Sequence, residues 1–265
     1  MAGEVVTVSS VKGGVGKTTI TLALLLAGVM RGWRVIGVDL DPTGGLTLAS
    51  GSQGAKHRLG HALRAPRLAV LDIWEVGLRR LDGQKVPGTL GVLAADPSLE
   101  RLGVTPEALQ EVVDQLRMAA DLVVIDPPPN RISISGVMGV ADRIVIPTEL
   151  GFLSLEAAEV TARLALQSGV EARVSGVVIS KARRPLNRIS RRIFNGLNTG
   201  LLACSTVVWS SAEWEGVVAG MGVVPKPDQC EIADLLLGEV LGGFSCDQVA
   251  LRAFAQIAPS HQEDV

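Results

Sequence analysis

Between the apolar run Glu4-Val5-Val6-Thr7-Val8 and the helix-like run Ile20-Thr21-Leu22-Ala23-Leu24-Leu25-Leu26 lies the segment Val11-Lys12-Gly13-Gly14-Val15-Gly16-Lys17-Thr18-Thr19. A strand that breaks into a glycine-rich turn and then enters a helix aims several backbone N–H groups, and the positive end of the helix, at one point. That point suits a polyphosphate. The glycines let the backbone approach without Cβ clashes, Lys17 supplies a cation for the β- and γ-phosphates, and Thr18 offers a hydroxyl to Mg²⁺. The stretch reads as a P-loop.

The common form of that loop, G-x-x-x-x-G-K-[ST], asks for glycine at position 11. Here Val11 stands there, followed by a second lysine, Lys12. The form K-G-G-x-G-K-T-T resembles the deviant Walker A motif of the ParA/MinD family of P-loop ATPases. That resemblance implies ATP and Mg²⁺ as cofactors, with Gly13, Gly14, Val15, Gly16, Lys17, Thr18 and Thr19 around the phosphates. It also implies an ATP-dependent homodimer with nucleotide at the interface. Lys12 would then reach into the partner subunit's site and neutralise phosphate charge in the transition state, joining Lys17 in catalysis.

Gly32 supplies a stop for a helix running from near Lys17 to about Arg31, and residues 33–39 read as a second, buried strand. Asp39-Leu40-Asp41-Pro42 then places two carboxylates at that strand's C-terminal edge, the side on which open α/β sheets bind ligands. By the resemblance this is a switch region, and Asp41 orients or activates the attacking water; Thr43 stands where the family often has glutamine. Further strands are expected at 90–95, 121–126, 142–147, 174–180 and 206–209. One helix opens at Thr105-Pro106 with threonine as its cap, another opens with Ser154 as its cap, and an apolar helix is expected at 230–240. The strand ending in Asp126-Pro127-Pro128-Pro129 resembles a Walker B strand, which implies Asp126 in the Mg²⁺ shell beside Thr18. Ser180 stands where many family members have an asparagine that contacts adenine, making it a candidate for the base pocket. Strands and helices alternating in this way predict an α/β fold, a doubly wound, mostly parallel sheet with helices on both faces.

A length of 265 residues with 47% hydrophobic content suits one large domain. We expect a single ATPase domain over 1–258 and a polar tail over 259–265. Net charge of −2 excludes a wholly basic nucleic-acid binder but leaves room for a local patch. Aromatics at 3%, with no tyrosine, argue against base recognition by stacking, so any DNA contact should be to phosphates. Cys204, Cys230 and Cys246 are far apart and form no C-x-x-C, which indicates neither a disulfide framework nor a zinc site and points to a reducing cytoplasm. The start lacks a basic signal region, and with the P-loop so close to Met1 an N-terminal DNA-reading domain is not expected. The longest apolar stretch, 20–30, is too short to span a bilayer. A helix near 247–257 carries Arg252 alone, so the basic amphipathic membrane anchor of the MinD side of the family is not expected.

Lys181, Arg183, Arg184, Arg188, Arg191 and Arg192 fall in one short stretch without an acid. Two readings stay open: a solvated face, or a patch that contacts DNA phosphates without sequence preference, as ParA-type ATPases do. With about four phosphate contacts per subunit, log K against log salt should slope near −3 to −4 per subunit, roughly doubled in a dimer. The resemblance favours a ParA-type ATPase that dimerises with ATP, binds DNA and hydrolyses ATP to ADP and phosphate, driving segregation of a plasmid or chromosome. It also implies stimulation by a ParB-like DNA-bound adaptor and association with the nucleoid. The alternatives are a MinD/ParA-like ATPase that positions a protein cargo and a metabolic P-loop ATP-dependent ligase. Residues 51–90 are least legible. There His57 and His61 have the i, i+4 spacing of metal ligands, but no third ligand is evident nearby. A solvated basic helix face made with Lys56, Arg58, Arg64 and Arg67 accounts for the cluster equally well.

Overall fold

Runs of valine and isoleucine with few polar breaks favour strands covered on both faces, and this chain supplies one after most of its helices. The computed structural model describes residues 2–80, 84–183, 185–199, 204, 206–210, 214 and 226–243. The elements in order are β1 (Glu4–Val8), α1 (Lys17–Met30), β2 (Arg34–Asp39), α2 (Gly45–Ala49), α3 (Leu59–Arg64), a 3-10 segment (Pro66–Asp72), β3 (Trp74–Glu75), β4 (Thr89–Leu93), α4 (Leu99–Leu102) and α5 (Pro106–Ala119). They continue with β5 (Leu122–Asp126), α6 (Arg131–Val140), β6 (Arg143–Thr148), α7 (Phe152–Gln167), β7 (Val174–Ala182), α8 (Arg188–Thr199), β8 (Val208–Trp209) and α9 (Pro227–Gly238).

The strands form one sheet in the order β3-β4-β2-β5-β1-β6-β7-β8. Only the short edge strand β3 runs antiparallel, against β4; the other pairings are parallel. The doubly wound expectation holds. From β1 the chain first goes to β2 on one side and later to β6 on the other, so the order reverses beside β1, where a parallel sheet opens a crevice at its C-terminal edge. Strand periodicity sorts the core. Val6, Val35 and Val124 pack with α1 and α9, while Val5, Ile36 and Val123 pack with α5. Helix α1 carries apolar residues almost all round because it is covered by the sheet and by α9. Leu24 and Leu25 are fully buried, each worth about 1.5–3 kcal/mol over an exposed position.

Several local expectations hold and some shift. Gly32 adopts φ 84 after a C-cap at Arg31, and the Thr105 hydroxyl accepts from Ala108 N at 3.2 Å. Helix α7 begins at Phe152 with Gly151 as its N-cap. Ser154 is therefore inside the first turn, its hydroxyl occupied elsewhere. Helix α9 starts at Pro227, ahead of the expected Cys230, because proline suits a first helical position. The basic cluster at 56–67 is not one helix face, since His57 precedes α3 and Arg67 belongs to the 3-10 segment. Trp214 is buried, in keeping with a packing role. Cys246, the helix expected at 247–257 with its Arg252, and the tail 259–265 lie outside the described residues. Among the described residues no helix is long and apolar enough to cross a membrane.

Candidate active site

The segment after β1 curls over the C-terminal edge of the sheet and hands the chain to α1. Gly14 and Gly16 take φ 79 and 88, the left-handed region that strains any residue with a Cβ. A Cβ at Gly16 would also stand 3.0 Å from the Ser180 hydroxyl, whereas one at Gly14 would meet nothing within 4 Å. Gly16 is thus held by packing from beneath, and Gly13 and Gly14 present an exposed rim. No side chain caps the N-terminus of α1, so the first-turn N–H groups around Lys17, Thr18 and Thr19 remain available to an anion.

The end of β7 braces this loop. Ser180, fully inside, donates to the Val15 carbonyl at 2.5 Å and to the Thr148 carbonyl at 3.4 Å. Lys181, at φ 52, turns its ammonium to the Gly14 carbonyl and stands 3.6 Å from Glu149. Both residues, singled out for base and DNA contacts, face the phosphate loop itself.

Parallel pairing puts Asp39 and Asp126 in register at the ends of β2 and β5. The Thr18 hydroxyl donates to Asp126 Oδ2 at 2.7 Å, while Asp126 Oδ1 is buried with no hydrogen-bond partner among the described residues. Burial, reinforced by the neighbouring Asp39 charge, pushes the Asp126 carboxyl up to about 7, against the Thr18 hydrogen bond and Lys17. Burial likewise lifts Asp39 to about 6, although Thr47 N and Oγ1 both donate to its Oδ2 at 2.7 Å. Lys17 is shifted down by burial, opposed by Asp126 and Asp41. A hydroxyl and an unsatisfied carboxylate oxygen beside a polyphosphate cradle form a hard oxygen donor set, which fits Mg²⁺. Asp41 Oδ1 accepts from Thr43 N at 2.9 Å and from Thr43 Oγ1 at 2.7 Å. Thr43 thereby fixes the carboxylate through Oδ1. Sequence reasoning passed over Asp39 as a site residue; its signal was the first aspartate of the D-x-D pair.

Lys12 points away from the cradle. Its ammonium donates to Ser154 Oγ at 2.9 Å in the first turn of α7, and its carbonyl accepts from Lys17 Nζ at 3.5 Å. Beside Ser154, Phe152 and Leu153 are 70% and 71% exposed. Sequence pattern gave no warning of Ser154, because its partner lies 142 residues away. Arg183, Arg188, Arg191 and Arg192 are exposed. The last three share one face of α8, opposite the buried Ile193 and Leu197. Arg184 lies outside the described residues. A cavity of about 950 Å³ opens next to Asp41, between residues 40–42 and helices α5 and α6, with Leu40, Pro42, Thr105, Pro128 and Asn130 in its wall.

Residues 3–166 match the family model described as the AAA domain, more than half of the chain. With the lysine-bearing loop and the two strand-end aspartates, that match decides the family. The chain belongs to the ParA/MinD family of P-loop ATPases. The chain is similar to the chromosome-partitioning ATPase Soj of Thermus thermophilus, at 32% identity over 147 residues, 55% of this chain and 54% of that one. It spans about half the length of curated relatives it matches. Its fold is also that of the cell division ATPase MinD of Pyrococcus furiosus (22% identity, TM-score 0.67, 89% of this chain and 98% of that one). The cobyrinic acid a,c-diamide synthase of Mycobacterium smegmatis with bound ADP and magnesium is comparably close (21% identity, TM-score 0.68, 89% and 94%).

Proposed function

We propose that residues 1–258 form a single ATPase domain that binds ATP with Mg²⁺, dimerises around the nucleotide and hydrolyses it to ADP and phosphate, and that the dimer binds DNA without sequence preference to drive segregation of a plasmid or chromosome. The observation that carries the ATPase reading is the Thr18–Asp126 pair, with its orphaned Oδ1, under the uncapped start of α1. Gly13 through Thr19 cradle the phosphates. Thr18 and Asp126 hold the Mg²⁺, which neutralises phosphate charge when bound. Lys17, already near both carboxylates, contributes its charge to the β- and γ-phosphates, and Asp41 Oδ2 orients the attacking water.

Lys12 makes the site dependent on assembly. In the single subunit its ammonium is held by Ser154. A charge-assisted hydrogen bond of this kind contributes about 1.5–3 kcal/mol, so Lys12 must exchange it for phosphate contacts across the interface. Exposed Phe152 and Leu153 at the same spot supply apolar surface for that interface. A monomer is then slow, and a ParB-like DNA-bound adaptor that favours the closed dimer would accelerate hydrolysis. The partition role draws support from the partition ATPase relative and from the exposed arginines of α8; cytoplasmic, nucleoid-associated localisation follows from DNA binding. The deciding experiment sizes Asp41→Ala protein with ATP and then measures DNA retardation at low salt. An ATP-dependent dimer that binds DNA is the expected result. A dimer without DNA binding points to positioning of a protein cargo, and a monomer throughout overturns the sandwich.

The cavity beside Asp41 favours a second reading, ATP-dependent activation of a small substrate, the class of the ligase alternative. Steady-state hydrolysis of ATP without any small molecule, stimulated by DNA, would eliminate it.

A further inference from the structure

We propose that His57, His61 and Asp72 form a binding site for a divalent transition-metal ion of the zinc class, separate from the nucleotide site. Arg58 is the extended N-cap of α3. That turn brings the His57 ring back over His61, with ring centroids 4.6 Å apart and planes 38° from parallel. The 3-10 segment then folds against α3 and carries Asp72 to His61, Nδ1 to Oδ2 2.7 Å. One ligand atom from each residue lies within 4.8 Å of the other two. Zinc–ligand bonds of about 2.0–2.2 Å place neighbouring ligand atoms about 3.2–3.6 Å apart; binding would displace the proton shared by His61 Nδ1 and Asp72 Oδ2, open that pair from 2.7 Å, and draw in the exposed His57 ring by rotation. The third ligand missing from the sequence reading is therefore Asp72, supplied by the return of the chain.

Two imidazoles and one carboxylate suit Zn²⁺ and its first-row neighbours rather than Mg²⁺ or Ca²⁺, which prefer oxygen sets. The Asp72 side chain is 3% exposed and that of His61 40%. The site is thus anchored on its inner side and open to solvent on the other, leaving room for a water ligand. Two nearby cations, Arg58 and Arg64, are engaged elsewhere. Arg58 donates to the Ala95 and Gln53 carbonyls at 2.9 and 2.6 Å, and with Arg64 it faces Asp96. The same segment is tied to the switch aspartates. Leu59 N donates to the Ala94 carbonyl at 2.9 Å, Ala95 N donates to Thr47 Oγ1 at 2.8 Å, and Thr47 donates to Asp39. An ion joining α3 to the 3-10 segment would brace the strand end that supports Thr47.

The test is calorimetric titration of Zn²⁺ into chelator-treated full-length protein, with excess Mg²⁺ to occupy oxygen-rich sites. One equivalent per chain should bind, and Co²⁺ in its place should give ligand-field bands of a low-coordinate ion. His57→Gln, exposed and outside the ATPase machinery, should weaken binding at least about 10–100-fold and leave ATP hydrolysis unchanged; His61→Gln and Asp72→Asn should do the same to binding. Circular dichroism of each variant checks folding, and His57→Gln decides the matter if Asp72→Asn misfolds. Absence of stoichiometric binding would reduce the cluster to a His61–Asp72 hydrogen bond and overturn the proposal. So would binding unaffected by His57→Gln, which would place the metal on cysteines or other carboxylates.

Discussion

The strand ends at Asp39 and Asp126 and the surface of α8 are both rich in charge, yet they obey opposite rules. At the strand ends the charges are buried and strained. Asp126 is 2% exposed with one oxygen unsatisfied and is displaced to about 7. Along α8 the arginines are exposed and carry no ion pair among the described residues. A buried unpaired carboxylate destabilises a fold and persists where a function needs it. Exposed arginines alter the fold little and act through whatever they meet. Substitutions should therefore change chemistry and stability in the first region, and salt-dependent binding alone in the second.

The largest effects fall at the strand-end site. Asp41→Ala should cut ATP turnover about 10²–10⁴-fold and Lys17→Ala about 10²–10³-fold, in a steady-state phosphate-release assay with normal far-ultraviolet circular dichroism. Turnover near wild type in either variant would remove these residues from the chemistry. Next comes Ser154→Ala. Freeing Lys12 should raise unstimulated turnover about tenfold without moving the DNA salt slope, and unchanged turnover would mean that the Ser154 contact does not restrain the lysine.

Asp126→Asn separates function from stability. The folded pKa lies above the usual carboxylate value, so the native state binds more protons than the unfolded chain between about pH 4 and 7. Wild-type stability from this group is complete at low pH and is lost as pH rises through about 7. The asparagine variant should lose turnover yet gain about 1–3 kcal/mol in urea unfolding of the nucleotide-free protein near pH 8. It should show a smaller fall between about pH 5 and pH 8 than wild type. Equal stability of the two proteins at high pH would contradict the buried, uncompensated charge. Smallest in stability, about ±0.5 kcal/mol, should be Arg188→Ala, Arg191→Ala and Arg192→Ala. Each should reduce the magnitude of the salt slope of DNA binding by about 0.9 per subunit, about 1.8 for the dimer, with unstimulated turnover unchanged. An unaltered slope would make α8 a solvated face.

Legibility followed the range of the interactions. Gly14, Gly16, Lys17 and Thr18 could be read directly, because a left-handed turn between strand and helix needs contiguous residues of particular types. Asp41 and Asp126 stood out because buried parallel strands end where ligands bind, and the structure places Asp126 at the end of β5 and Asp41 two residues past the end of β2. Ser180 and Lys181 were not, since their contacts to Val15 and Gly14 depend on β7 rising beneath the P-loop. Ser154 looked like a helix cap for want of its distant partner. His57 and His61 were visible as a pair, but Asp72 joined them only through the fold of the 3-10 segment against α3.

The sequence by itself determined the family, the parallel sheet and the glycine-rich turn between β1 and α1, since each rests on local backbone conformation and on alternating buried strands. Tertiary structure alone decided the pairing of Asp39 with Asp126 and the orphaned oxygen. It also decided where Lys12 rests and how the carboxylate of Asp72 meets two imidazoles. Those features depend on distances between residues far apart in the chain. Such distances are set when the sheet and its helices pack, and hydrophobic patterning fixes that packing without naming the polar groups it brings together.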